Sequence, residues 1–215
     1  IGDLAYRNNT TGSYNTVVGV GALSGSSTTS GNTAIGYFAL NQNSTGYLNT
    51  AVGYNSLATN STGLENTAVG YQSLELNTTG RNNIAMGYWS LRENTTGAYN
   101  TAIGGNYALG NNTTGNYSTA FGYYALRLAT TGEYNTAVGY KAGEAITTGW
   151  GNICIGRQAG DNMSQASKNI IIGYLCDSSG YNSDACLVMG YSVTGVGNDN
   201  FTFGNGGTDS NIAFG

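Results

Sequence analysis

Asn66-Thr67-Ala68-Val69-Gly70-Tyr71-Gln72-Ser73-Leu74-Glu75-Leu76-Asn77-Thr78-Thr79-Gly80-Arg81-Asn82 is the unit that decides the fold, because it recurs along the chain. Aligned on the glycine that closes Thr-Ala-(Val/Ile)-Gly, the units fall at Gly2, Gly19, Gly36, Gly53, Gly70, Gly87, Gly104, Gly122, Gly139, Gly156, Gly173 and Gly190. Every step is 17 residues except Gly104 to Gly122, which is 18. A fixed period of this length marks an array in which each unit is one coil or blade. The extra residue falls at Gly105-Asn106 beside a turn, where a bulge leaves both neighbours in register.

Within the unit, Thr67-Ala68-Val69-Gly70-Tyr71 alternates, with Thr, Val and Tyr on one face and Ala and Gly on the other, the period of a strand. Ser73-Leu74 reads as a second short strand, and Asn77-Thr78-Thr79-Gly80 as a turn. A glycine in every unit, the β-branched residues and the Asn-Thr-Thr-Gly breaker disfavour helix. The expected fold is all-β: a β-solenoid of about eleven 17-residue coils over 1–190, followed by an irregular β segment over 191–215. At about 4.8 Å per coil the stack is a rod roughly 50 Å long.

Stacking puts like on like. One apolar column runs through Ile35, Val52, Val69, Met86, Ile103, Phe121 and Val138, and a second through Leu40, Leu57, Leu74, Leu91, Leu109 and Leu126. Asn32, Asn49, Asn66, Asn83 and Asn100 form a polar column whose amides are expected to bond from coil to coil. Tyr37, Tyr54, Tyr71, Tyr88, Tyr123 and Tyr140 form another. Two or three apolar side chains per coil make a thin core, and the flat Ala face (Ala34, Ala51, Ala68, Ala85) reads as the face along which several chains pack, three about a fibre axis.

Composition follows from these columns and excludes several functions. The 215 residues include 35 Gly, 17 Tyr, no Pro and no His, and only 8% are charged. About a quarter is usual. The net charge of −4 gives no nucleic-acid footprint and no polybasic anchor. Without histidine there is no imidazole base, no Ser-His-Asp or Cys-His arrangement and no histidine metal ligand. No apolar run is long enough to insert in a membrane. Cys154, Cys176 and Cys186 lack metal-ligand spacing and read as buried thiols, with a Cys176–Cys186 disulfide as the minor alternative. Asp161, Asp177, Asp184, Asp199 and Asp209 lack the array spacing of a calcium-binding solenoid, which leaves at most an isolated ion near the irregular end. Glu65 and Glu75 lie on different sides of a coil, and Glu133 and Glu144 are most of a coil apart, so neither is a glycosidase pair. The Thr-Thr pairs sit in turns and do not read as an ice-binding array. No reaction, cofactor or metal is expected.

The Asn-Thr-Ala-Val-Gly-Tyr…Leu…Asn-Thr-Thr-Gly unit resembles the repeats of bacteriophage tail fibres. It is also similar to the head repeats of trimeric autotransporter adhesins, whose shorter unit likewise centres on Ala-Ile-Gly. The 17-residue period and its turn depart from the adhesin pattern and favour the phage resemblance. Both resemblances imply a trimeric, β-rich, extracellular protein. The implied role is a structural and adhesive segment of a virion tail fibre, with other copies of the chain, other tail proteins and a host-surface glycan or protein as partners. The alternative is the head of a bacterial surface adhesin. The opening in mid-pattern at Ile1-Gly2 reads as a fragment or a processed product. After Gly190 the step shortens to Gly204 and Gly215, which resembles the lead-in to an intramolecular chaperone domain that cuts itself off. Contact residues are expected among the turn aromatics: Trp89, Trp150, Tyr99, Tyr117 and Tyr134, whose rings suit stacking on sugars.

Overall fold

A computed structural model of the chain describes residues 1–25 and 28–206, together with the backbone of 210–213. Asp209 and Gly215, on which expectations above fall, lie outside the described residues. Thirteen strands form one sheet in sequence order: β1 (Thr16–Val18), β2 (Thr33–Ile35), β3 (Thr50–Val52), β4 (Thr67–Val69), β5 (Ile84–Tyr88), β6 (Thr101–Asn106), β7 (Thr119–Phe121), β8 (Thr136–Val138), β9 (Ile153–Ile155), β10 (Ile170–Tyr174), β11 (Leu187–Tyr191), β12 (Asn200–Asn205) and β13 (Ser210–Ala213). Strands β1 to β12 pair in parallel, and β13 folds back antiparallel on β12. The expected β-solenoid is the fold.

Register is that of the repeat. Thr50, Ala51 and Val52 stand opposite Thr67, Ala68 and Val69. The extra residue of the long step is absorbed as a register shift after Met86, so Tyr88 faces Asn106 and the next pairing, Ile103 with Phe121, is regular. The shorter 14-residue step still brings Leu187 opposite Phe201 and Gly190 opposite Gly204.

The motif glycine is required by close approach. Gly70 has φ 135°, and a Cβ there would lie 2.5 Å from the Gly87 carbonyl oxygen of the next coil. The turn glycine has a different reason. A Cβ on Gly80 would lie 2.3 Å from Asn77 Oδ1 and 2.4 Å from the Gly97 oxygen.

Ser73-Leu74 is not a strand. The chain from Tyr71 to Leu76 is a run of turns in which Gln72 and Leu74 have φ of 51° and 52°. A side chain in this left-handed region costs about 1–2 kcal/mol. The cost is offset because the turning backbone keeps its coil-to-coil bonds. Gln72 N–H donates to Tyr54 O at 2.8 Å, Leu74 to Ser90 O at 2.9 Å and Leu76 to Arg92 O at 3.0 Å.

The two strand faces are the reverse of the expectation. Ala34, Ala51, Ala68, Ala85, Ala102, Ala120 and Ala137 are fully buried, opposite the equally buried Leu column, while Ile35, Met86, Phe121 and Val138 are exposed. In these coils alanine points inward opposite leucine and the branched residue points outward. The alanine face is therefore the interior, not the seam between chains.

Asparagine closes the rest of the interior in two ladders. In the first, Asn66 N–H donates to Asn49 Oδ1 at 3.0 Å, Asn83 N–H to Asn66 Oδ1 at 3.0 Å, and Asn66 Nδ2 to Gly80 O at 2.8 Å. The second runs through the turn asparagine, which the sequence marks only as a turn residue. There Asn77 Nδ2 donates to Asn60 Oδ1 at 2.7 Å, and Asn94 Nδ2 to Asn77 Oδ1 at 2.8 Å. Buried amides are ordinarily paired, and along each uninterrupted run of asparagines repetition supplies the same partner one coil away.

Candidate binding surface

Two exposed surfaces carry more side-chain chemistry than the ladders consume. One is a column of turn aromatics. Tyr99, Tyr117 and Tyr134 occupy the same left-handed corner of successive coils, with φ of 60°, 56° and 57°. Their rings stack at 5.0 and 5.1 Å, tilted by 1° and 5°. Stacking turns the ring faces on one another and leaves edges and hydroxyls to solvent. The Arg81 guanidinium lies 5.8 Å over Tyr99 and covers the upper end. Beside it a shallow depression of about 450 Å³ is lined by Thr79, Arg81, Thr96, Ala98, Tyr99, Asn116 and Tyr117. Asn116 is held there by bonds to Glu133 Oε1 at 2.6 Å and from the Ala98 N–H at 2.8 Å.

Three of the five expected contact residues are thus brought together, and the two tryptophans are placed apart. Trp150 is exposed at a neighbouring position one residue before the same corner, with Lys168 Nζ 4.8 Å over its ring. Trp89 stands at the end of the upper Tyr column. It stacks on Tyr88 at 4.7 Å, meets Tyr107 edge-on, and donates from Nε1 to Gln72 Oε1 at 2.6 Å. Its ring is committed to its neighbours.

The second surface is the outward strand face. It carries a Thr column (Thr33, Thr50, Thr67), a Val/Ile column (Ile35, Val52, Val69) and a Tyr column, side by side over the length of the sheet. Tyr37, Tyr54, Tyr71 and Tyr88 stack at 5.1–5.2 Å. Lower down, Arg157 replaces a tyrosine and is sandwiched 5.6 Å from Tyr140 and 5.0 Å from Tyr174, with a 2.8 Å bond to the Tyr174 hydroxyl. The sequence revealed these columns but not that they face outward.

Chemistry elsewhere is subdued. Cys154, Cys176 and Cys186 are buried and not joined in a disulfide, so the Cys176–Cys186 bridge does not form. Cys154 takes an alanine place in the inner column opposite Ala137, and burial pushes its thiol up, away from thiolate reactivity. Cys186 sits at the end of the first Asn ladder, where its N–H donates to Asn169 Oδ1 at 2.8 Å. Asp177 is pushed up to about 8, first by burial and then by the hydrogen bond and charge of Asp161. Among the described residues no group of three or more His, Cys, Asp or Glu is placed to hold a metal ion. Among the same residues no helix is long and apolar enough to cross a membrane. No family model matches the chain, and no match is found among curated proteins or solved structures.

Proposed function

We propose that the chain is a structural and adhesive segment of a trimeric bacteriophage tail fibre that spaces or presents a host-binding end. The observation that carries this reading is the unbroken ladder of twelve parallel strands. The recurring residues inside the coil hold the next coil, which gives a stiff element about 50 Å long. Sequence variation is concentrated at the corners, where Tyr99, Tyr117, Tyr134 and Trp150 stand exposed. Those corners are where contact with a host glycan or protein is to be sought. Because the ring faces are stacked on one another, such contact uses hydroxyls, ring edges and Arg81.

The test is location. Antibody against this segment, applied to purified virions under the electron microscope, is expected to label the tail fibres. Labelling of the bacterial envelope and not of virions would replace this reading with the surface-adhesin one.

A further inference from the structure

We infer that the outward Thr/Val/Tyr face is a self-association seam, against which further copies of the same chain pack along the rod. This deepens the fibre reading by naming the surface through which its chains meet. The alanine face cannot serve, since its alanines are fully buried within one chain.

Size is the first argument. Twelve strands about 4.8 Å apart, each contributing a five-residue span at most about 13 Å wide, give a face of about 700 Å² in outline. Part of that outline is Thr and Tyr hydroxyl, but the apolar column with Ile35, Met86, Phe121, Val138, Ile155 and Met189 exposed runs the length of the sheet, where a soluble monomer ordinarily scatters such residues. The outline approaches the roughly 800 Å² per partner that a stable protein interface covers.

Composition is the second argument. From Thr16 to Phe203 the three columns contain one charged side chain, Arg157, whose guanidinium lies between two tyrosine rings and keeps its charge. The remaining cations lie outside these columns, as with Arg92 and Arg127 paired to Glu75 and Glu144. Interface centres are depleted in charge and enriched in Tyr, Phe, Met and Arg, and this face holds Phe121, Met86, Met189 and a tyrosine in most coils. Ordinary solvated strand faces alternate toward polar and charged residues. The Val/Ile column does not.

Repetition makes a second copy the fitting occupant. A face whose chemistry is the same at every coil is matched along its whole length by another rod of the same coil spacing. The two edges differ, Thr on one side and Tyr on the other. Chains related by rotation about the rod axis therefore bring a Tyr edge against a Thr edge, a contact able to close into a ring.

The experiment is sedimentation equilibrium of this chain at micromolar concentration, alongside the variant Ile35→Lys/Val69→Lys/Val138→Lys. These positions point to solvent within one chain, so the coil core is untouched, and circular dichroism checks that the fold is kept. The expected result is an oligomer for the parent chain and at least a hundredfold weaker association for the triple variant. Tyr117→Lys, on the turn corner, is expected to assemble as the parent does. A monomeric parent overturns the inference, as does a folded triple variant that still assembles. A monomer that depresses the freezing point below the melting point would assign the face to ice instead. Virion labelling is independent of all these outcomes, so failure of the seam and failure of the fibre reading remain distinguishable.

Discussion

The coils from Asn43 to Asn112 and those from Ala142 to Val193 hold the same backbone with different interiors. In the first region each coil buries a Leu against a strand Ala and the small Ser or Ala that precedes the Leu, closed by the turn asparagine, as in Leu74, Ala68, Ser73 and Asn77. In the second the leucine position becomes Gly143 and Gly160. The space is filled from the turn by Ile146 and Met163 and from the strand by Cys154 and Ile171. Ile146 Cδ1 and Leu126 Cδ2 come within 3.1 and 3.0 Å of where a Gly143 side chain would start. Backbone register therefore belongs to the ladders, while core volume is a sum that neighbouring positions share.

The sharpest way to break the equivalence is to strike what both regions keep. Gly70→Ala puts a methyl against the Gly87 carbonyl at a backbone angle closed to side chains. A loss of about 4 kcal/mol or more is expected in chemical denaturation, with Gly156→Ala equally damaging in the other region.

The sharing of volume is tested by a double-mutant cycle. Ile146→Ala leaves a cavity beside Gly143 and is expected to cost about 3 kcal/mol. Gly143→Leu alone collides with Ile146 and is expected to cost about 2 kcal/mol. Gly143 has φ 59°, close to the 51° of Leu126, so the backbone already suits leucine. Combined, the two changes rebuild the Leu126/Ala129 pattern and should restore most of the loss. Additive costs would show that volume is not exchanged.

A smaller effect separates the regions by pH. Burial and the neighbouring Asp161 push the Asp177 carboxyl up to about 8, so the folded chain holds a proton that the unfolded chain releases near 4. Its contribution to stability is therefore full below about pH 4 and is lost as pH rises toward 8. A decline of about 2 kcal/mol between pH 4 and 8 is expected, smaller than for a fully dry site because Asp177 is not completely buried. Thermal unfolding at a series of pH values should show the slope in the parent chain and a flatter curve in Asp177→Asn.

The sequence disclosed what repetition enforces and hid what the cross-section decides. Gly70 and its counterparts gave the period, the register and the place of the bulge, and Asn66 gave its ladder, because these follow from counting. Which strand face points inward depends on the width of a coil, and no count reveals that Ala68 and not Val69 meets Leu74. Leu74 reads as strand in the sequence, because its left-handed angle is set by coil-to-coil bonding and not by its own preference. At the corners, Tyr99, Tyr117 and Tyr134 were legible as exposed turn aromatics. The use of their faces on each other, and the Arg81-lined depression beside them, required the geometry of adjacent coils.

The smallest effect lies at the boundary between the two regions. Asn112 ends the turn ladder: its Nδ2 donates to Asn94 Oδ1 at 2.7 Å, but its own Oδ1 is buried without a partner. The next position is Ala129, which has no amide to offer, and beyond it stands Ile146. Ala129→Asn would supply the missing donor and extend the ladder by one coil. The new Oδ1 would then face Ile146 and become the unpaired atom in its turn. One hydrogen bond is gained while the count of orphaned oxygens stays the same, so the expected change is a stabilisation below about 1 kcal/mol. Had the orphan at Asn112 been a local defect, the same substitution would remove its full desolvation cost of about 1–3 kcal/mol. Equilibrium unfolding of Ala129→Asn distinguishes the two, and a gain near the upper figure would mean that the ladder can end against an apolar side chain without penalty.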